Sequence, residues 1–284
     1  MARDEELQSE IVQPALPARL LAWSATLLVA VAWFSAALFG TYIVFFYAGA
    51  IAVATPSQWN EVLPGLFSPG APAATAGIAM HFAAGGIILL FGPIQLIGRV
   101  RAAAPAVHRW IGRLYVGAAF LAGLGGLAFI LVNGTIGGAA MDLGFGLYGT
   151  LMIAASVQTF RHARARRQPG RLAAHRAWAI RLFALAIGSW LYRIDYGFWF
   201  LVSGGAGHTH DYRGWFDIIM DVFFYLPNLA IAEAFIRARA AAARPVLQSG
   251  AAILLAGTAA FIALATYQFA KLSWIPGIML RLAA

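Results

Sequence analysis

The chain has no cysteine among its 284 residues. That excludes disulfides, thiolate metal sites, cysteine-ligated iron–sulfur clusters and thioether-attached haem; haem held only by histidine stays open. Charge is also scarce: 11% of residues are Asp, Glu, Lys or Arg, against 61% hydrophobic. No segment is polar and long enough for a separate soluble domain, so 1–284 reads as a single transmembrane domain. No nucleophile elbow, Walker loop, Rossmann glycine motif or His-Glu-x-x-His occurs. The Gly-Gly pairs at 85–86, 125–126 and 137–138 lie in apolar stretches or a short loop and cradle no phosphate. Nothing among these motifs decides whether the chain is an enzyme.

What the chain does have is long apolar runs separated by short loops. A run of roughly 20 such residues crosses the hydrocarbon core as a helix. About seven are expected, at about 20–48, 74–98, 108–132, 140–161, 175–202, 214–237 and 249–270. The predicted fold is an all-α, polytopic transmembrane bundle. Spans two to five, within 75–200, form its expected core, and spans one, six and seven flank it. The start, MARDEELQSE, is acidic, unlike a signal-peptide n-region, and the apolar run after Arg19 is longer than an h-region. Residues 1–19 therefore read as a short cytoplasmic tail before an uncleaved first span. The loop TPSQWNEVLPGLFSPGAP holds four prolines and cannot be one continuous helix.

Almost every arginine of the loops falls in every second one; the opposite loops hold only Arg213, and Lys271 and Arg281 follow span seven. Arg3 and Arg19 precede span one. Arg99, Arg101, Arg109 and Arg113 join spans two and three. Arg161, Arg164, Arg166, Arg167, Arg171 and Arg176 join spans four and five, and Arg237, Arg239 and Arg244 join spans six and seven. This bias predicts the N-terminus in the cytoplasm and the C-terminus outside. The formal charge of +9 could suggest nucleic acid, but no basic stretch carries a folded reading surface. Anionic lipid headgroups are the expected partner, and nucleic acid is not. Trp23, Trp59, Trp110, Trp178, Trp215 and Trp274 sit near span ends as expected interfacial anchors.

Polar residues inside spans are costly and usually face the bundle interior. On span two, His81, Gly85, Ile88, Gly92, Gln95 and Arg99 share one face; on span three, His108, Gly112, Tyr115, Ala119, Ala122 and Gly126 do. On span five the series is His175, Ala179, Leu182, Ala186, Ser189 and Arg193. Small residues on such faces let helices approach closely, and Gly92-Pro93 should bend span two and free a carbonyl. His108-Arg109-Trp110 and His175-Arg176-Ala177-Trp178 open two spans from the same side, as an internal echo would. A helix start favours neutral imidazole, the metal-ligating form. Each His could equally bond a loop carbonyl or a lipid phosphate.

A second cluster lies at the opposite ends of the spans: Arg193, Asp195, Asp217, Asp221 and Asp142. An unpaired Arg193 would be costly, so a partner among Asp217, Asp221 or Asp195 is expected, as a structural pair or as part of a polar cavity. Glu233 should likewise pair with Arg181 or Arg113. His208 and His210 offer a weak metal site, since His-x-His alone supplies too few ligands.

The block from His81 through Gly92-Pro93-Ile94-Gln95 and Arg99-Val100-Arg101 to His108-Arg109-Trp110-Ile111-Gly112-Arg113-Leu114-Tyr115, with His175-Arg176-Ala177-Trp178 and Arg181, is quite specific. Over about 75–200 it resembles the bacterial predicted membrane proteins of domain of unknown function 2306, which implies the membrane architecture and no established activity. More distantly, a His, a Gln, an Arg-containing loop and then His-x-x-x-Gly resembles half of a cytochrome b561-type haem bundle. That likeness implies haem b between His108 and His175, with Arg109, Arg113 and Arg176 near its propionates, and transmembrane electron transfer. His81 has no second intramembrane His on its side, so at most one haem is implied. The function classes are a haem- or quinone-interacting redox protein with a redox partner, a small-molecule or proton-coupled transporter, and a non-catalytic assembly factor.

Overall fold

The computed structural model describes residues 15–52, 55–61, 65–165, 168–241 and 244–282. Arg3, most of the tail expected at 1–19, Arg166 and Arg167 lie outside the described residues. Helix α1 (Leu16–Ile43) continues through a π-helical turn, Val44–Ala48, to Ala52. Helix α2 (Pro72–Phe91) ends in a tight turn, Pro93–Leu96. Then come α3 (Pro105–Asn133), α4 (Ala139–Arg164), α5 (Arg171–Ala186) and α6 (Gly188–Ser203). Last are α7 (Trp215–Phe223), α8 (Leu226–Ala240) and α9 (Pro245–Phe269). Helices α2, α3, α8 and α9 start with proline in the first turn, where the missing N–H has no helical partner to lose.

Six stretches are long and apolar enough to cross a membrane singly, and α5 with α6, bent by 45°, makes a seventh when counted as one span. The chain is a multi-pass, all-helical membrane protein. Leu131, Leu143, Ile253 and Phe34 are among many large apolar side chains left on the outside, as a hydrocarbon solvent allows.

Two expected spans are broken. Span five was expected to run unbroken over 175–202, but it stops at Ile187. The Tyr148 hydroxyl of α4 donates to the Leu185 carbonyl at 2.6 Å, entering the helix ladder, and Gly188 lets the Tyr148 and Phe224 rings come close. Span six breaks at Phe224–Tyr225, because Pro227 brings no N–H to the ladder. Asn228 repairs part of the gap by donating from Nδ2 to the Phe224 carbonyl at 2.7 Å. The bend expected at Gly92-Pro93 is present, and the Trp33 indole donates to the Leu90 carbonyl beside it at 3.2 Å. Trp59 and Trp274 are not interfacial anchors: they are 3% and 2% exposed, and Trp59 donates to the Tyr47 carbonyl. Trp23, Trp110 and Trp215 do lie exposed.

The stripes of spans two and three meet as an antiparallel seam, and α2–α3 is the most extensive helix pair. Gly77 meets Gly125 backbone to backbone, and His81 Nδ1 lies 2.9 Å from the Ala122 carbonyl. Gly92 lies against the Tyr115 ring, and Gln95 lies against Gly112. Helix α4 packs on α3 and α5, α8 on α5, and α1 on α9.

Candidate functional site

The arginine-rich ends of the spans surround a cavity of about 1850 Å³. Much of its lining is apolar, from Leu21, Leu28, Leu182, Phe235 and Ile262 among others. Its mouth carries Arg99, Arg101, Arg109, Arg113, Arg164, Arg176 and Arg239, and no Asp or Glu among the described residues lines it. Arg113 also lies over the Trp110 ring at 4.9 Å, which ties it to the interface.

His108 and His175 both line this cavity. Helices α3 and α5 do not pack closely on each other; each faces the cavity from its own side. His175 Nδ1 lies 3.1 Å from the Thr159 carbonyl, which can only accept. Nδ1 therefore carries a proton, which in the neutral ring leaves Nε2 as an acceptor. His108 has the reverse arrangement. In the orientation that pairs each donor with an acceptor, the Gln95 amide donates to His108 Nδ1 and to the His108 carbonyl, and accepts from Gly112 N–H, at 3.2 Å each. With Nδ1 accepting, a neutral His108 carries its proton on Nε2. Gly112 is glycine for a local reason: a Cβ there would stand 2.9 Å from the end of the Gln95 side-chain amide. The Gln95, His108 and Gly112 pattern is thus one latch, made possible by the bend at Gly92-Pro93.

His81 is not at the cavity. It is fixed in the α2–α3 seam by its bond to Ala122. Arg193 does not pair with Asp217 or Asp221 as expected, nor with Asp195. It donates to the Ser189 carbonyl of its own helix at 2.9 Å and lies over the Phe39 ring at 5.2 Å. Asp142 instead closes the turn before α4 by accepting the Thr135 N–H at 2.7 Å. Glu233 does meet Arg181, at 2.7 Å, and Arg237 at 3.0 Å.

At the end of the bundle away from the cavity mouth, Asp217 has no exposed surface and is the centre of a polar knot. Its Oδ1 accepts from the Tyr196 hydroxyl at 2.6 Å and contacts His208 Nδ1 at 2.7 Å. Its Oδ2 accepts the backbone N–H groups of Thr209 at 3.0 Å and Gly214 at 2.9 Å. His208 is thus spoken for by a carboxylate, and His210 is exposed. Among the described residues no group of three or more His, Cys, Asp or Glu side chains could hold a metal, so the weak site at His208 and His210 gains no further ligands. In the same loop the Thr209 hydroxyl holds the exposed Asp211 carboxyl below the usual carboxylate range. Tyr192, Tyr196 and Gln95's role on His108 were not legible as a site; the four-residue spacing of the two tyrosines was the available signal.

Residues 78–236, more than half of the chain, match the family model described as predicted membrane protein (DUF2306). No curated protein and no solved structure matches the chain.

Proposed function

Because the chain belongs to the DUF2306 family, described only as predicted membrane proteins, we propose its function from the cavity itself: it binds a lipid-soluble quinone. The carrying observation is the opposite hydrogen-bonding role of the two cavity histidines. His108 offers an Nε2–H to a carbonyl oxygen, and His175 offers an Nε2 lone pair to a hydroxyl. A quinone ring presents the first group and its reduced form the second. The apolar lining of the cavity suits an isoprenoid tail, and the arginine mouth suits the anionic headgroups around it.

Haem b fits these residues less well. Ligation by two histidines needs a free nitrogen on each ring. With Nδ1 held by a donor, His108 has none to give in its neutral form.

Protein purified in mild detergent is expected to retain extractable quinone. His175→Ala should lower the retained amount about tenfold, the effect of losing one hydrogen bond of about 1.4 kcal/mol. Gln95→Ala should do the same by freeing His108. Equal quinone in parent and variants would sink the reading. A Soret band in the parent that vanishes in His108→Ala and His175→Ala would replace quinone with haem.

The orientation that goes with this reading puts the arginine-rich face in the cytoplasm of a bacterial inner membrane. A reporter fused after Ala284 should behave as periplasmic and one after Arg166 as cytoplasmic. Both reporting the same side contradicts it.

A further inference from the structure

We propose that the mouth of the cavity holds one anionic phospholipid, with its phosphate among Arg101, Arg109 and Arg176 and its chains along the apolar lining. The site shares the cavity with the quinone reading but does not rest on it. It follows from the charge of the mouth, and that reading follows from the two histidines.

The arginines of the mouth divide by what they touch. Arg113 lies over the Trp110 ring at 4.9 Å and Arg164 over the Phe160 ring at 5.7 Å. Arg99, Arg101, Arg109, Arg176 and Arg239 have no ion pair, aromatic ring or side-chain hydrogen bond among the described residues. Arg99 and Arg101 come from the short helix Gly98–Ala103, Arg109 from α3, Arg176 from α5 and Arg239 from α8. All of these side chains are exposed, and all line the same cavity. Arg101, Arg109 and His175 are also the charged neighbours of His108, so the short helix, α3 and α5 converge there.

The described residues do not neutralise this charge. Glu233 is already taken by Arg181 and Arg237, at 2.7 and 3.0 Å. The first turns of α3 and α5 hold no acid. Like charges gathered in this way repel one another until an anion joins them. Orientation in the membrane asks for arginines at this end of the spans, but not for a ring of them around a cavity. Arg161 and Arg244 lie at the same end and do not line it. A phosphate suits the ring, because each guanidinium fork can donate two parallel hydrogen bonds to its oxygens.

The apolar lining decides between a free anion and a lipid. A free phosphate would meet the arginines and leave Leu28, Phe235 and Ile262 facing water. A phospholipid covers both kinds of surface with one molecule. There is room for it beside a quinone ring. The cavity holds about 1850 Å³, against about 300–1,000 Å³ for a pocket that takes one small molecule.

Native mass spectrometry of the full chain in detergent, titrated with phosphatidylglycerol, tests this. One molecule should bind about tenfold tighter than phosphatidylcholine, whose headgroup carries its own cation. Arg101→Gln, Arg109→Gln and Arg176→Gln should each weaken binding about tenfold, the loss of one charge-assisted contact to phosphate. These side chains are exposed, so glutamine leaves the packing intact. Arg161→Gln and Arg244→Gln remove the same charge at the same end but outside the cavity, and should weaken binding by about twofold at most. An equal fall in the mouth variants and in these two means diffuse attraction and overturns the site. No fall in any variant overturns it as well. Displacement by inorganic phosphate at matched ionic strength would make the ligand a free anion, and an affinity about tenfold higher on deleting residues 2–10 would give the mouth to that acidic segment. Either result overturns the lipid. Quinone is read separately on the same preparations, so the two readings fail independently.

Discussion

Asp217→Ala is expected to destabilise the protein by about 3–5 kcal/mol, because several buried donors lose their acceptor at once. The Tyr196 hydroxyl, His208, the Thr209 N–H and hydroxyl, and the Gly214 N–H all converge on this one carboxylate. Each buried donor left without a partner costs about 1–3 kcal/mol, and partial relaxation of the loop keeps the total below the sum. The measurement is the unfolding midpoint in a denaturing-detergent titration. Asp217→Asn keeps one acceptor oxygen but turns an amide toward donors, so its loss should be roughly half as large. A midpoint for Asp217→Ala within error of the parent would show that the knot contributes nothing to the fold.

Gly125→Ala is expected to cost about 2–3 kcal/mol although it adds only one methyl group. A Cβ at Gly125 would stand 2.5 Å from the Gly77 carbonyl oxygen and 3.2 Å from the His81 backbone nitrogen. These are backbone atoms and cannot turn aside, so α2 and α3 must separate. The separation also stretches the His81 bond to Ala122. Gly117 on the same helix is the control, since a Cβ there meets nothing within 4 Å. Gly117→Ala should be neutral or stabilising by up to about 1 kcal/mol, the ordinary gain of alanine over glycine inside a helix. Equal midpoints for the two variants would mean that the seam is looser than described.

The facing stripes of spans two and three were legible because helical period and membrane location together leave small residues one purpose, close contact. Which glycine makes the contact was not. Gly85-Gly86 and Gly125-Gly126 look alike in sequence, yet a Cβ at Gly85 or Gly86 meets nothing within 4 Å. The Arg193 pair failed for a similar reason. Charge and depth said that a partner was needed, but the guanidinium found a carbonyl one turn back and an aromatic face, which no count of opposite charges reveals. The break at Ile187 also needs a hydroxyl arriving from α4, so the Gly188-Ser189 pair, the one local signal within 171–203, was not enough to announce it. The two cavity histidines were found as residues, but their opposite proton placement rests on Thr159 and Gln95, which only the folded chain brings beside them.

The close packing of α1 on α9 has a consequence for the order of synthesis. Helices α2, α3, α4 and α5 each find a neighbour next to them in sequence and can pair as they leave the ribosome. Helix α1 meets α2 early, through Trp33 and Leu90, but must wait for its main neighbour, α9, made more than 200 residues later. Its buried Ser35 hydroxyl meets that of Thr266 across 231 residues. Until that span is made, one side of the cavity lacks part of its wall, since Gln248, Leu255 and Ile262 of α9 line it beside Leu21 and Leu28 of α1. The cavity is therefore completed only once α9 is made, and a nascent chain has no closed cavity before then.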